Sequence, residues 1–242
     1  MHDKKGQVVI FVIIAIVIVL GILLVVFARS ASKEVSDPSK LDLEDRVIFD
    51  LQNCIDEQLG VAIQIVGLQG GYVNLPEEVL DTNIGPVAYG LKNGRNVVPS
   101  ISLMEKEINS YFELILPSCL DENNYLGVEV DSNYKDIRTV IGSDRVSLTV
   151  SFVASLEKAG SSETVNEEVS TEVSVRLREM RSTAYDIANL HVRAPNFVDI
   201  TYLLESEFDV LFVPIDESLL YSITDVDNKI NGVAFSYLMG VE

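Results

Sequence analysis

The chain has 242 residues, 48% of them hydrophobic, and a formal net charge of −19. That length supports one large domain or two small ones with a proper core. So acidic a surface repels nucleic acid and anionic headgroups, which excludes a nucleic-acid-binding role. Two histidines, His2 and His191, and two cysteines, Cys54 and Cys119, form no CxxC motif and no ligand cluster, so neither a metal nor another cofactor is expected.

The first element is a short head, residues 1–7, followed by an unbroken apolar run at 8–28, VVIFVIIAIVIVLGILLVVFA. Twenty-one residues at about 1.5 Å each cover the roughly 30 Å hydrocarbon core of a bilayer. In lipid every backbone polar group needs an internal partner, so a transmembrane helix is expected. The flanks are both basic: residues 1–33 carry Lys4, Lys5, Arg29 and Lys33 against Asp3, a balance of +3, leaving −22 for the rest. The head is too small to be a domain, and both cysteines follow the span, where an oxidising exterior suits them. The N-terminus is therefore placed in the cytoplasm and residues 30–242 outside. A cleavable secretory signal has a shorter apolar region, and Arg29 interrupts the small residues of ARSA.

Lys4-Lys5-Gly6-Gln7, followed at once by the apolar run, resembles the class III signal of archaeal pilin-like proteins and archaellins. The resemblance covers about 25 residues. It implies cleavage between Gly6 and Gln7 and packing of the apolar helix into a filament core. Many pilins carry a Glu five residues into the mature chain, where this chain has Phe11; archaellins lack that Glu as well. A plain signal anchor with a basic start is the alternative. The wider layout is similar to single-pass surface proteins of small-genome archaea, on KKGQ and the span, CIDEQLG and GLQGGY, the Cys119 helix and a β-rich end.

Residues 29–40 are polar, with one Pro, and read as a linker. Two subdomains are expected beyond it: a helix-rich one at 41–125 and a β-rich α+β one at 126–242. Apolar residues at Val47, Leu51, Ile55, Leu59, Ile63 and Val66 have helical spacing, and Gly67, Gly70 and Gly71 are expected to stop the helix. GLQGG lacks the Lys-Ser/Thr of a phosphate-binding loop. Short strands around Val87–Leu91 and Asn96–Val98 flank Asn93-Gly94, a hairpin signal. Ser100 caps a second helix ending at Pro117-Ser118-Cys119-Leu120. Cys54 lies on the apolar side of the first helix and Cys119 just past the second. A disulfide between them would close a loop of about 65 residues, worth about 4 kcal/mol in the chain-entropy model; two buried thiols are the alternative.

From residue 126 the period changes to strands. LGVEV, DIRTVI and RVSLTVSFVASL alternate, with Ser-Asn and Gly-Ser-Asp read as turns and KAGSSE as a hairpin tip. A helix follows with Leu177, Met180, Ala184, Ile187, Ala188 and His191 on one side; Arg176, Arg178, Arg181 and Arg193 are read as paired with carboxylates, or else as an anion or partner site. Asp199 caps a short helix, ITYLLES, and FDVLFVPI, SLLYSITD and GVAFSYLMGV read as three terminal strands. Asp225-Val-Asp227-Asn228 resembles a calcium loop in composition but lacks its Gly and distal Glu, and is read as a solvated turn.

These elements predict an α+β fold: an N-terminal transmembrane helix, a helical first half and a mainly antiparallel β second half. With no GxSxG motif and one ectodomain histidine, no enzyme is expected, and no catalytic residue is named. The expected function is structural or interactive, at the cell surface: a pilin-like subunit or an envelope or adhesion protein. Its partners are the lipid bilayer and either further copies, through the transmembrane helix, or an envelope protein. The alternative is a ligand-binding or sensory module acting through a membrane partner.

Overall fold

A computed structural model describes residues 42–120, 129–158 and 161–242. The apolar run at 8–28, the linker and the pair Gly6 and Gln7 lie outside the described residues. Among the described residues no helix is long and apolar enough to cross a membrane. Glu44–Glu242 forms one compact α+β unit with two mostly antiparallel sheets.

Helix α1 (Leu43–Leu68) buries one side completely, from Val47 to Val66. It runs through Gly67 and stops at Gly70 and Gly71, whose φ of +72° and +100° are open to glycine at no steric cost. Gly67 is glycine for a different reason. A Cβ there would sit 2.5 Å from the Ser236 carbonyl oxygen and 2.7 Å from the Phe235 ring. Strands β1 (Val79–Thr82), β2 (Gly85–Lys92) and β3 (Arg95–Asn96) follow, with Asn93 and Gly94 making the turn at positive φ. The sequence pattern does not signal β1: Pro76 and the acidic pair Glu77-Glu78 hide a four-residue strand. Helix α2 (Ile101–Cys119) starts on Ser100, whose hydroxyl accepts the Leu103 N–H at 3.2 Å. It keeps Pro117 in its last turn, so Cys119 is inside the helix rather than beyond it.

Strands β4 (Glu129–Ile141), β5 (Arg145–Lys158) and β6 (Ser161–Ser174) form an antiparallel meander. Ser132-Asn133 is no turn. The chain runs straight through it, and the break in pattern is a bulge between Tyr134 and Asp136. Val146, Leu148, Val150, Phe152, Ala154 and Leu156 point to one face and are buried. Both helices reach this sheet: α1 through Gln52, which donates to the Ser170 carbonyl, and α2 along the edge of β4. There the Thr139 and Ile141 N–H groups donate to Asn109 and Glu105, so α2 takes two outward donors at the C-terminal end of that edge.

Helices α3 (Leu177–Arg193) and α4 (Ile200–Glu205) precede β7 (Asp209–Ile215), β8 (Ser218–Ile230) and β9 (Val233–Val241). The second sheet has the order β1-β2-β9-β8-β7, with β3 added on β2. β9 lies antiparallel to β8 and parallel to β2, so a strand from 41–125 and one from 126–242 share a sheet. Cross-strand partners share a face. Tyr221, Ile223 and Asp225 with Met239, Tyr237 and Phe235 form the buried face, against α1 and α3. The other face carries the linked hydroxyls of Ser222, Thr224 and Ser236.

Candidate functional site: an apolar sheet edge

Two polar contacts fix the β7–β8 region to α3. His191, on the buried stripe of α3, meets the Tyr221 hydroxyl through Nε2 at 2.8 Å. Its Nδ1 lies 3.4 Å from the Pro195 carbonyl, which suits a neutral ring that donates through Nδ1 and accepts from Tyr221. Burial pushes the His191 pKa down, against the Pro195 carbonyl, and pushes Tyr221 up to about 12. The second contact is Arg176 on Asp225, bidentate, with Nε and one Nη each 2.8 Å from a carboxylate oxygen. Asp225 is fully buried, and Asn228 and the Asp227 N–H also donate to it. The Arg176 guanidinium holds this carboxyl at about 2 against the opposing effect of burial. Residues 225–228 are therefore not a solvated turn. They form a bulge inside β8, closed by an ion pair, and the hairpin turn comes later at Asn231-Gly232.

The arginines are each engaged inside the chain. Arg178 donates to the Ile141 carbonyl, Arg181 to the Pro99 carbonyl at 2.7 Å, and Arg193 to the Asn189 carbonyl. Of these four, Arg176 is the one that meets carboxylates. Cys54 and Cys119 form a disulfide, S–S 2.03 Å, that ties α1 to α2. Among the described residues no group of three or more His, Cys, Asp or Glu is placed to hold a metal ion.

β7 is the site the sequence elements do not announce. Among the described residues it pairs only with β8. The Glu242 N–H donates to Leu91, so β9 turns that backbone group to β2 and the Val241 group to β8. Carried through the β9–β8 and β8–β7 registers, this alternation leaves the backbone groups of Val210, Phe212 and Pro214 on the open side. Pro214 has no N–H, so the edge offers two donors and three carbonyls. Its side chains are apolar on both faces, and Leu211 and Val213 are 61% and 55% exposed. On the α4 side a cavity of about 260 Å³ is lined mainly by apolar side chains, Ile200, Leu203, Leu204, Phe208, Val210 and Phe212, together with Ser206 and Asp209. A larger cleft of about 530 Å³ adjoins it through Ser206 and Phe208 and carries Glu179, Asp186, Glu205 and Glu207. The Arg176 guanidinium stacks 4.7 Å from the Phe208 ring centre, at the junction of the two.

A strand apolar on both faces reads from sequence as an interior strand. Pro214 is the residue that signals an edge. No protein-family model, no curated protein and no solved structure matches this chain.

Proposed function

We propose that this chain is a single-pass protein, anchored by residues 8–28 with its head in the cytoplasm, whose extracytoplasmic α+β domain serves a structural or interaction role at the cell surface. A pilin-like subunit or an envelope or adhesion protein fits this description. The observation that carries the reading is β7: an apolar strand with an open backbone edge, beside exposed Leu204 and Ile200, on a domain with net charge far from zero. Monomeric surfaces seldom leave such apolar area uncovered unless it meets a partner. The Cys54–Cys119 disulfide suits an oxidising exterior, and the uninterrupted run at 8–28 suits an anchor.

Membrane fractions of cells making the chain test the anchoring. The protein is expected to stay in the pellet after an alkaline carbonate wash, and protease added to intact cells is expected to digest the domain. The N-terminal residue of the recovered chain separates the forms. Gln7 means processing like that of pilins, and Met1 or His2 means a plain anchor. A start near Ser32 with the protein in the medium overturns the anchoring.

A further inference from the structure

We infer that the β7 edge takes an extended segment of another polypeptide as an added strand, and that this segment has alternating apolar residues with Lys or Arg on its flanks. This inference rests on the interaction role proposed above and names the partner's chemistry.

The two other long edges are managed within the fold. The outward N–H groups of β4 at Thr139 and Ile141 are taken by Asn109 and Glu105 of α2. On β6, Glu163 and Glu167 fall on the apolar face of the sheet, opposite Leu156 and Phe152, where charges block a further strand. From Val210 to Ile215, β7 carries no charge, and among the described residues no strand pairs with its open edge. Pro214 guards one position and leaves the Val210 and Phe212 donors open.

The surroundings choose the occupant. From Ala194 to Asn228 the chain has eight carboxylates and no Lys or Arg, and Arg176, which reaches in to stack on Phe208, is already held by the buried Asp225. Glu205 and Glu207 stand at one end of β7, Asp216 and Glu217 at the other. A second copy laid antiparallel about Phe212 would set Glu207 opposite Glu217 at both ends, like against like. A segment with basic flanks meets opposite charge at both ends instead. Its middle forms backbone hydrogen bonds with Val210 and Phe212. One apolar side chain enters the 260 Å³ cavity beside Phe208, and the basic flank lies toward Glu205 and Glu207 in the 530 Å³ cleft.

The test uses the full chain in neutral detergent and two probe peptides, Lys-Lys-Val-Thr-Val-Thr-Val-Lys-Lys and the same peptide with Glu for every Lys. The basic peptide is expected to bind saturably below about 1 mM. The acidic one is expected to bind at least about tenfold more weakly, and salt raised from about 0.05 to about 0.5 M to weaken the basic one about tenfold. Binding is expected to slow hydrogen exchange at the Val210 and Phe212 amides. Val210→Pro removes an outward donor without touching the β8 ladder and is expected to weaken binding about tenfold. Glu205→Gln with Glu207→Gln supplies a variant that leaves the backbone alone; it is expected to remove much of the salt dependence. Equal binding of the two peptides, protection at another strand, or no saturable binding overturns the inference. So does a concentration-dependent dimer that protects the Val210 and Phe212 amides, which would give the edge to a second copy. Loss of peptide binding while the chain stays in the membrane fraction removes this inference and leaves the anchoring intact.

Discussion

Asp225 shows how much one buried carboxylate can organise. It accepts from Arg176, from Asn228 and from two backbone N–H groups of its own bulge, so the ion pair and the bulge depend on each other. Removing the charge leaves Arg176 with the longer carboxylate contacts to Glu207 at 3.7 Å and Asp227 at 3.8 Å. Asp225→Asn is expected to cost about 3 kcal/mol, the lower end for breaking a buried pair, because Arg176 keeps some access to water. Urea unfolding measures this. The pH dependence has a definite sign. The folded pKa of about 2 lies below the unfolded value, so the stabilisation is complete above about pH 4 and is lost as pH falls toward 2. Wild-type protein is expected to lose stability across that window, and the Asn variant to lose correspondingly less. His191 adds a loss that begins nearer neutrality: burial depresses its folded pKa, so stability falls as pH drops through the usual histidine range.

Among the elements, α1 carries the most. Its first half meets the meander through Gln52, and its second half presses Gly67 onto β9. Ala in place of Gly favours a helix interior by about 1 kcal/mol, whereas forcing a methyl against the Ser236 carbonyl costs about 1–3 kcal/mol. Gly67→Ala is therefore expected to destabilise by about 1 kcal/mol net, read as a lower urea midpoint with unchanged slope. A gain in stability would mean that α1 can back away from β9. The disulfide belongs to this scale too, because it ties α1 to the last turn of α2. Reduction is expected to cost about 4 kcal/mol by chain entropy over a separation of 65 residues, seen as a lower denaturation midpoint with reductant. The helices are legible in the sequence because their apolar periodicity survives to the structure almost unchanged. On α3 the predicted stripe from Leu177 to His191 is the buried one. Strand lengths are less legible. A bulge and a turn both interrupt alternation, and Ser132-Asn133 and Asp225–Asn228 have turn composition inside strands. The edge character of β7 is hidden for a different reason: a one-sequence pattern reports which residues are apolar, and not which strand lacks a neighbour.

At the scale of the whole molecule, charge is the strongest influence outside the core. With a formal −19 overall and −22 beyond residue 33, the folded domain repels itself. Adding NaCl from about 0.05 to about 0.5 M shortens the screening length from over 10 Å to a few ångströms. The Tm is expected to rise by at least about 3 °C, equivalent to roughly 1 kcal/mol for a domain of this size. A flat or falling Tm would mean that local pairs, not self-repulsion, set the response. The sheet order adds a constraint of another kind, in time. β9 lies between β2 and β8, yet of the described strands it is the last to be synthesised. Until Val233–Val241 has emerged, β2 has no central neighbour, and the buried face of β8 waits beside an empty position. While the chain is being made, its second sheet is therefore half-built. That sheet closes late, when β9 slots in between two strands made far apart in the chain.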